Sequence, residues 1–362
     1  MSDERLIRVV ALNPGSTSTK FGAFENDTPL FQETVRHSEE ELVPYDGRPL
    51  TDQLDFRMER VRAALDAKGL PAAGLDAVVG RGGLLKPLPS GTFEVNDRML
   101  ADLREARRGD HASNLGAPMA ADLAAGSKGA RAFIVDPVSV DEWEPVARLS
   151  GLAGLDRECL SHALNTKAVA KRFARETGRP YAELRLVIAH LGSGTSVSAH
   201  ENGRMVDVTN SRDEGAFSTE RSGTVPVMKL IDLCLSGEVT RKEMGDRIFR
   251  RGGMVSYLGT KDLPAVLGRI RNGDEKAKLV FDAMIYQIGK EIGAYATVLR
   301  GKVNGILLTG GMVHEDAVVS ALKERIDWIA PVHAFPGEDE LQALAEGALR
   351  VLRGEEHAIE YV

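Results

Sequence analysis

The stretches VVALNPGSTST (residues 9–19) and LVIAHLGSGTS (186–196) each run an apolar, strand-like segment through a polar residue into a turn crowded with Gly, Ser and Thr. Small residues let backbone N–H groups approach an anion closely, and Ser and Thr hydroxyls add donors, so such turns suit phosphate oxygens. Aligning Gly15 with Gly192 places Asn13 opposite His190 and Ser16 opposite Ser193, at an offset of 177 residues in a chain of 362. Taken alone, either stretch reads as an ordinary hairpin turn. Recurrence at close to half the chain length points instead to a duplicated strand–turn–strand unit whose turns hold phosphate.

Other residues with chemistry to offer stand at strand ends or in turns, where the sites of α/β proteins collect. Arg81 lies between glycines in VVGRGG (78–83), and Arg221 lies among small residues in FSTERSGTVP (217–226). A guanidinium is always charged, and its planar fork contacts two oxygens at once. His111 (in GDHASN) and His162 (in LSHALN) are further donors, and Asp136 ends the apolar run RAFIVD. VNGILLTGGMVHE (303–315) delivers Gly310 and Gly311 from a strand into a helix start, a third glycine turn where a nucleotide could dock. Each of these also has a plain structural reading: a salt-bridged arginine, a satisfied core histidine, a capping aspartate.

The elements that must position these residues alternate between strand and helix. Residues 5–12 and 20–25 read as a hairpin, 54–68 as an amphipathic helix and 76–83 as a strand. A helix starts near Asn96, another spans 115–126, and 131–136 is a buried-type strand. The second half restarts with a helix at 160–177 and a hairpin within 184–208, then helices near 225–236, 240–250 and 261–271. A long helix from Glu275 to about Leu299 carries Leu279, Ile285, Ile288 and Ile292 near helical spacing. Its Met284, Ile285 and Ile288 are assigned to an interdomain core, with a dimer interface as the alternative. A last helix, from Asp339 to Arg353, is expected to pack back on the first domain. The pattern is an α/β fold with a mainly parallel, helix-covered sheet.

With 43% apolar and 27% charged residues the composition is that of a globular chain, and a net charge of −7 argues against a general nucleic-acid binder. The acidic start MSDERLIRVV does not read as a signal peptide, and no apolar run approaches a membrane span. Cys159 and Cys234 form no metal spacing and read as reduced core thiols. A cytoplasmic location follows as the expectation.

From end to end the chain resembles the butyrate kinase branch of the acetate and butyrate kinase family, within the sugar kinase, Hsp70 and actin superfamily. The carriers are ALNPGSTSTKFGAF (11–24), GRGGLLKPLPSGTFEVN (80–96), IVDPVSVDEW (134–143), AHLGSGTSVSAHENGRMVDV (189–208), FSTERSGTVP, TGGM (309–312) and FPGEDELQALAEGALRVL (335–352). The resemblance implies duplicated actin-like, ribonuclease H-like ATPase domains with an interdomain cleft: one over 1–157, joined by the returning segment 340–362, and one over 158–339. It implies ATP with Mg2+ and a short-chain carboxylate as substrates, phosphoryl transfer to the carboxylate, and a homodimer or higher homo-oligomer. Neither nucleic acid nor membrane is implied as a partner.

Carried over position by position, the resemblance puts Asn13, Ser16 and Lys20 near the nucleotide phosphates or metal. His190, Gly192, Ser193, Gly194 and Thr195 form the second phosphate turn, and Gly310 and Gly311 lie near the adenosine. Arg81 and Arg221 contact the transferring phosphoryl, His162 hydrogen-bonds it, and Asp136 supports the metal and the catalytic geometry. Arg81 also lines the acyl site, where His111 is a second candidate. Glu340 is the metal-linked carboxylate, with Glu338 and Asp339 as competitors.

Two departures bear on the acyl group. Ser193 and Thr195 stand where butyrate kinases more often have glycine and an apolar residue. The loop from Asn210 to Gly223, with Ser211, Arg212 and Asp213, is one residue short and is expected at the mouth of an acyl pocket. Two other readings stay open: an acetate or propionate kinase, and a non-catalytic nucleotide switch like the actin and Hsp70 relatives.

Overall fold

The structure is a computed structural model, and it describes residues 6–70, 73–212 and 214–362; the expectations for the first five residues and for Asp213 fall outside this range. The chain divides into two units, Met1–Asp141 with Asp339–Val362, and Glu142–Glu338. The first unit carries strands β1 (Arg8–Pro14), β2 (Ser18–Glu25), β3 (Thr28–Arg36), β4 (Ala77–Arg81), β5 (Thr92–Glu94) and β6 (Arg131–Val135). The second carries β7 (Arg185–Leu191), β8 (Thr195–Glu201), β9 (Arg204–Val208), β10 (Gly305–Gly310) and β11 (Val332–Pro336), and β12 (Ile359–Glu360) belongs again to the first.

The first sheet runs β12-β5-β6-β4-β1-β2-β3 and the second β11-β10-β7-β8-β9. In the first, β1–β2 and β2–β3 are antiparallel while β1–β4 and β4–β6 are parallel. The second repeats this plan: β7–β8 and β8–β9 antiparallel, β7–β10 and β10–β11 parallel. Both ends of β1 lie 177 residues before the corresponding ends of β7, the offset read from the glycine turns. The duplicated α/β fold is therefore visible strand by strand. The central strands are apolar throughout because both faces are covered; β4 and β10 read AVVGR and GILLTG and are buried along their length except at Arg81.

In the first unit the helix Leu54–Ala67 lays Met58, Val61 and Leu65 on one face of the sheet with Val10, Leu12 and Phe21. The helix Asp97–Glu105 starts where Asn96 accepts from the Met99 N–H at 3.0 Å, the expected cap. The helix Glu340–Leu352 packs on the first sheet, and its Gly347 carbonyl accepts from Thr92 Oγ1 at 3.2 Å. In the second unit the helix Ala163–Thr177 covers one face through Val169 and Phe173, and Glu275–Val298 covers the other.

Several expectations change. Leu279 is 70% exposed, so it is off the apolar stripe of its helix. Met284, Ile285 and Ile288 are buried in the second unit's own core, which removes them from both an interdomain and a dimer role. Cys159 is buried as expected, whereas Cys234 is exposed on the helix Val227–Leu235. The first hairpin gains a third strand, β3, whose alternating half-exposed pattern marks a sheet edge, and a short helix, Gly253–Leu258, went unread. Residues 142–157 belong to the second unit. Glu142 pairs there with buried Lys167, and Arg157 donates to Glu214 and Asp207 while stacking on Trp143. Among the described residues, no helix is long and apolar enough to cross a membrane.

Candidate active site

In the first unit, β1, β4 and the N-terminus of Glu340–Leu352 bring three expected residues together. Arg81 ends β4, and its Nη1 lies 3.0 Å from Glu340 Oε1 and 3.5 Å from Asn13 Oδ1. Asn13, nearly the last residue of β1, donates from its Nδ2 to Glu340 Oε2. Lys20 is opposite Asn13 in the β1–β2 ladder and is exposed, as Ser16 is in the turn between them. Of its competitors, Asp339 precedes the helix with φ 42° and Glu338 belongs to the second unit.

Two expected residues of this unit are engaged elsewhere. Buried Asp136 accepts from Ser90 Oγ at 2.6 Å and from the Gly91 N–H at 2.8 Å, a tie that holds the chain leaving β6. His111 accepts the Ser113 N–H through Nδ1 at 3.2 Å, capping a short 3-10 helix.

In the second unit the turn between β7 and β8 sits among a histidine pair and an arginine. The His162 and His190 rings stack, with centroids 3.8 Å apart and planes 10° apart. His162 Nδ1 lies 3.0 Å from Ser196 Oγ, and His190 Nδ1 lies 2.8 Å from Asn165 Oδ1. Asn165 Nδ2 donates to Thr309 Oγ1 at 3.2 Å and to the Glu338 carbonyl at 2.9 Å. Its Oδ1 is therefore the acceptor facing His190, which assigns the proton to His190 Nδ1. His190 Nε2 then faces the Glu338 carboxylate at 3.6 Å.

Arg221 packs beneath the turn: a Cβ on Gly194 would lie 2.5 Å from its Nη1 and 2.7 Å from its Cζ. The guanidinium donates to the Ser211 carbonyl at 2.7 Å, and burial draws its pKa below the usual value without discharging it. Ser218 Oγ donates to the Ser193 carbonyl and accepts from the Arg221 N–H at 3.1 Å, so the two loops are tied together. Thr195 opens β8 with its Oγ1 buried and unpartnered among the described residues. The loop after Asn210 makes polar ties: Arg212 N–H to Asn210 Oδ1, Asn210 Nδ2 to the Glu158 carbonyl, and Ser211 N–H to the Leu160 carbonyl. Its Ser211 carbonyl is the tie to Arg221.

Beside this turn opens a cavity of about 260 Å³ lined by Gly192, Ser193, Leu263, Gly311, Met312 and Glu315, among others. The two glycines after β10 do different things. Gly310, at φ 96°, lets the strand end approach β7, since a Cβ there would lie 2.4 Å from the Leu191 carbonyl oxygen. Gly311 has open space around its Cβ position and leaves the cavity unfilled.

Asn165, Ser196 and Thr309 were not singled out from sequence. Asn165 follows His162 by three residues, a spacing that sets both on one side of the helix Ala163–Thr177 at its first turn, and this signal was available.

Residues 157–327 match the Acetokinase family model. That segment contains His162, His190, the turn 192–195, Arg221 and Gly311. Among solved structures, acetate kinase from Porphyromonas gingivalis superposes with a TM-score of 0.76 at 19% identity, over 94% of this chain and 99% of that one. Acetate kinase from Entamoeba histolytica gives 0.75 at 14% identity, over 94% and 98%. A propionate kinase from Francisella tularensis subsp. tularensis gives 0.73 at 14%, over 94% and 99%. At these identities the likeness establishes the fold.

Proposed function

We propose that the protein is an ATP-dependent carboxylate kinase that reversibly transfers the γ-phosphoryl of ATP to a short-chain acid, giving an acyl phosphate and ADP. The observation that carries this reading is the convergence, inside the segment matching the Acetokinase model, of a glycine turn, a stacked histidine pair and a buried arginine. A nucleotide switch needs the phosphate turn but has no use for this additional set of cationic and donor groups.

The acceptor needs no general base, because a carboxylic acid with a pKa of about 4–5 is already ionised at neutral pH. The barrier is the approach of one anion to another, so the site must neutralise the equatorial oxygens of the transferring group. In the second unit Arg221 and His162 are the groups suited to that purpose, and in the first unit Arg81 is the guanidinium suited to an anion. The turn 192–195 cradles the donor phosphates, and the cavity beside Gly311 takes the nucleoside.

Mg2+ fits the donor set of the first unit, since Asn13 offers an amide oxygen and Glu340 a carboxylate, both hard ligands. Among the described residues no group of three or more His, Cys, Asp or Glu could hold a metal ion. When bound, Mg2+ supplies charge neutralisation on the phosphates. Asn13 and Glu340 would hold it, and Glu340 would then exchange its contact with Arg81 for the metal.

Butyrate or a branched acid of four or five carbons is the acceptor favoured by the sequence motifs. The structural neighbours are acetate and propionate kinases, which favours acetate or propionate instead. Initial rates across acids of two to six carbons, with acyl phosphate trapped as hydroxamate, separate the two. Discrimination of about tenfold per carbon is expected, because a buried methylene contributes about 0.8 kcal/mol and pocket fit adds to it. Highest kcat/KM on acetate would remove the butyrate assignment and leave the carboxylate kinase; ATP hydrolysis without hydroxamate on any acid would remove the kinase reading.

A further inference from the structure

Arg57, on the helix Leu54–Ala67, is 0% exposed and has no ion pair among the described residues. Its guanidinium lies behind the first glycine turn. Nη1 donates to the Gly15 carbonyl at 2.7 Å, the Ser18 carbonyl at 3.1 Å and Thr19 Oγ1 at 3.2 Å. Nη2 donates to the Ser16 carbonyl at 3.0 Å and to Gln53 Oε1 at 2.8 Å, and Nε donates to Gln53 Oε1 at 3.0 Å. The remaining carbonyl of the turn, that of Thr17, accepts the His37 N–H at 2.9 Å. Every carbonyl from Gly15 to Ser18 is thus held on the protein side. Ser16 and Thr17 are exposed, and their N–H groups donate to no other described residue.

A buried, uncompensated cation is costly, and here burial lowers the guanidinium pKa to about 10, which still leaves it charged at neutral pH. A neutral glutamine or serine would satisfy a turn carbonyl without that cost. What only the cation adds is a positive charge directly behind a set of peptide dipoles whose carbonyl ends it holds, so their N–H ends face away from it toward solvent.

We propose that Arg57 is a positioning residue for phosphate binding at the turn 15–18: it fixes the outward aim of the Ser16 and Thr17 amides and biases the turn toward anions. This deepens the kinase reading and rests on it for the identity of the anion as nucleotide phosphate. A residue that acted only on folding would change affinity for all ligands alike, or for none.

The test compares calorimetric dissociation constants of MgATP and of adenosine, which lacks the phosphates, for the full-length wild type, Arg57→Met and Arg57→Lys. Arg57→Met is expected to weaken MgATP by about tenfold or more while adenosine changes less than about twofold. Arg57→Lys keeps the charge but cannot reach three carbonyls, so it falls between the two, and it carries the test alone if the methionine variant does not fold. Unchanged MgATP affinity in a folded variant overturns the proposal, as does equal weakening of MgATP and adenosine. If wild type binds MgATP no better than adenosine, phosphate recognition itself is absent and the kinase reading falls with it.

Discussion

Arg81 Nη1 and Glu340 Oε1 stand 3.0 Å apart at the end of β4 and the start of the last long helix, with Asn13 bonded to the same carboxylate. The pair is part-exposed, and such pairs contribute little to stability, typically about 0–1 kcal/mol. Its value is placement: the guanidinium is held at a strand end by a carboxylate that suits a cation. Arg81→Ala is expected to lower kcat by about a hundredfold to a thousandfold with little change in melting temperature. Glu340→Gln is expected to raise the Mg2+ concentration for half-maximal rate at fixed ATP. A near-normal kcat in Arg81→Ala removes Arg81 from the proposed chemistry.

Gly194 carries the second prediction. Its Cβ position falls 2.5 Å from Arg221 Nη1, so any side chain there must displace the guanidinium that donates to the Ser211 carbonyl. Gly194→Val is expected to raise the KM for ATP and lower kcat together, because the turn and Arg221 move as one. Arg221→Ala alone is expected to lower kcat by about a hundredfold or more, with a smaller effect on ATP affinity. Unchanged nucleotide affinity in a folded Gly194→Val protein shows that the turn does not touch phosphate.

The duplication was legible because a continuous apolar run into a glycine turn is a local signal, and it repeats at one offset that the strands then follow. The cluster of Asn13, Arg81 and Glu340 was legible only through motif resemblance, since Asn13 and Glu340 lie 327 residues apart and no local pattern joins them. Arg57 was missed, yet it sits on the stripe of Leu54, Met58, Val61 and Leu65, and a charged residue on a buried helix face needs a polar partner. Its partners are Gln53, four residues earlier, Thr19 Oγ1 and three backbone carbonyls, and the carbonyls carry no sequence signal. Asp136 and His111 show the opposite limit: both have catalytic residue types at plausible places, and the structure uses both as local caps or ties.

Asn165 holds His190 in one tautomer, and His190 stacks on His162. Asn165→Ala is expected to lower kcat by about tenfold to a hundredfold with a small change in the KM for the acid, because the rings lose orientation while the binding groups stay. The nitrogen NMR shifts of His190 provide a readout independent of activity: in wild type Nδ1 carries the proton, and in the variant the two tautomers mix. A variant with the wild-type tautomer and full activity disconnects Asn165 from the pair.

The last prediction follows from His37, whose Nε2 lies 3.0 Å from Thr19 Oγ1 behind the first turn. Thr19 Oγ1 also accepts from Arg57, and the buried imidazole beside that cation is kept in its neutral form. Burial first, then the Arg57 charge, lowers the His37 pKa from 6.5 to about 4; Glu41 acts in the opposite direction and Arg60 in the same one. The folded state therefore resists a proton that the unfolded chain accepts. Stability from this group is complete above about pH 6.5, declines as pH falls toward 4, and levels off below it. Melting temperatures measured from pH 7 to 4 are expected to fall less steeply in His37→Gln, which keeps a polar group toward Thr19 but does not titrate. Identical slopes for the two proteins, or an NMR titration of His37 near 6.5, would show that the histidine is protonated behind the turn and that Arg57 exerts no such influence on it.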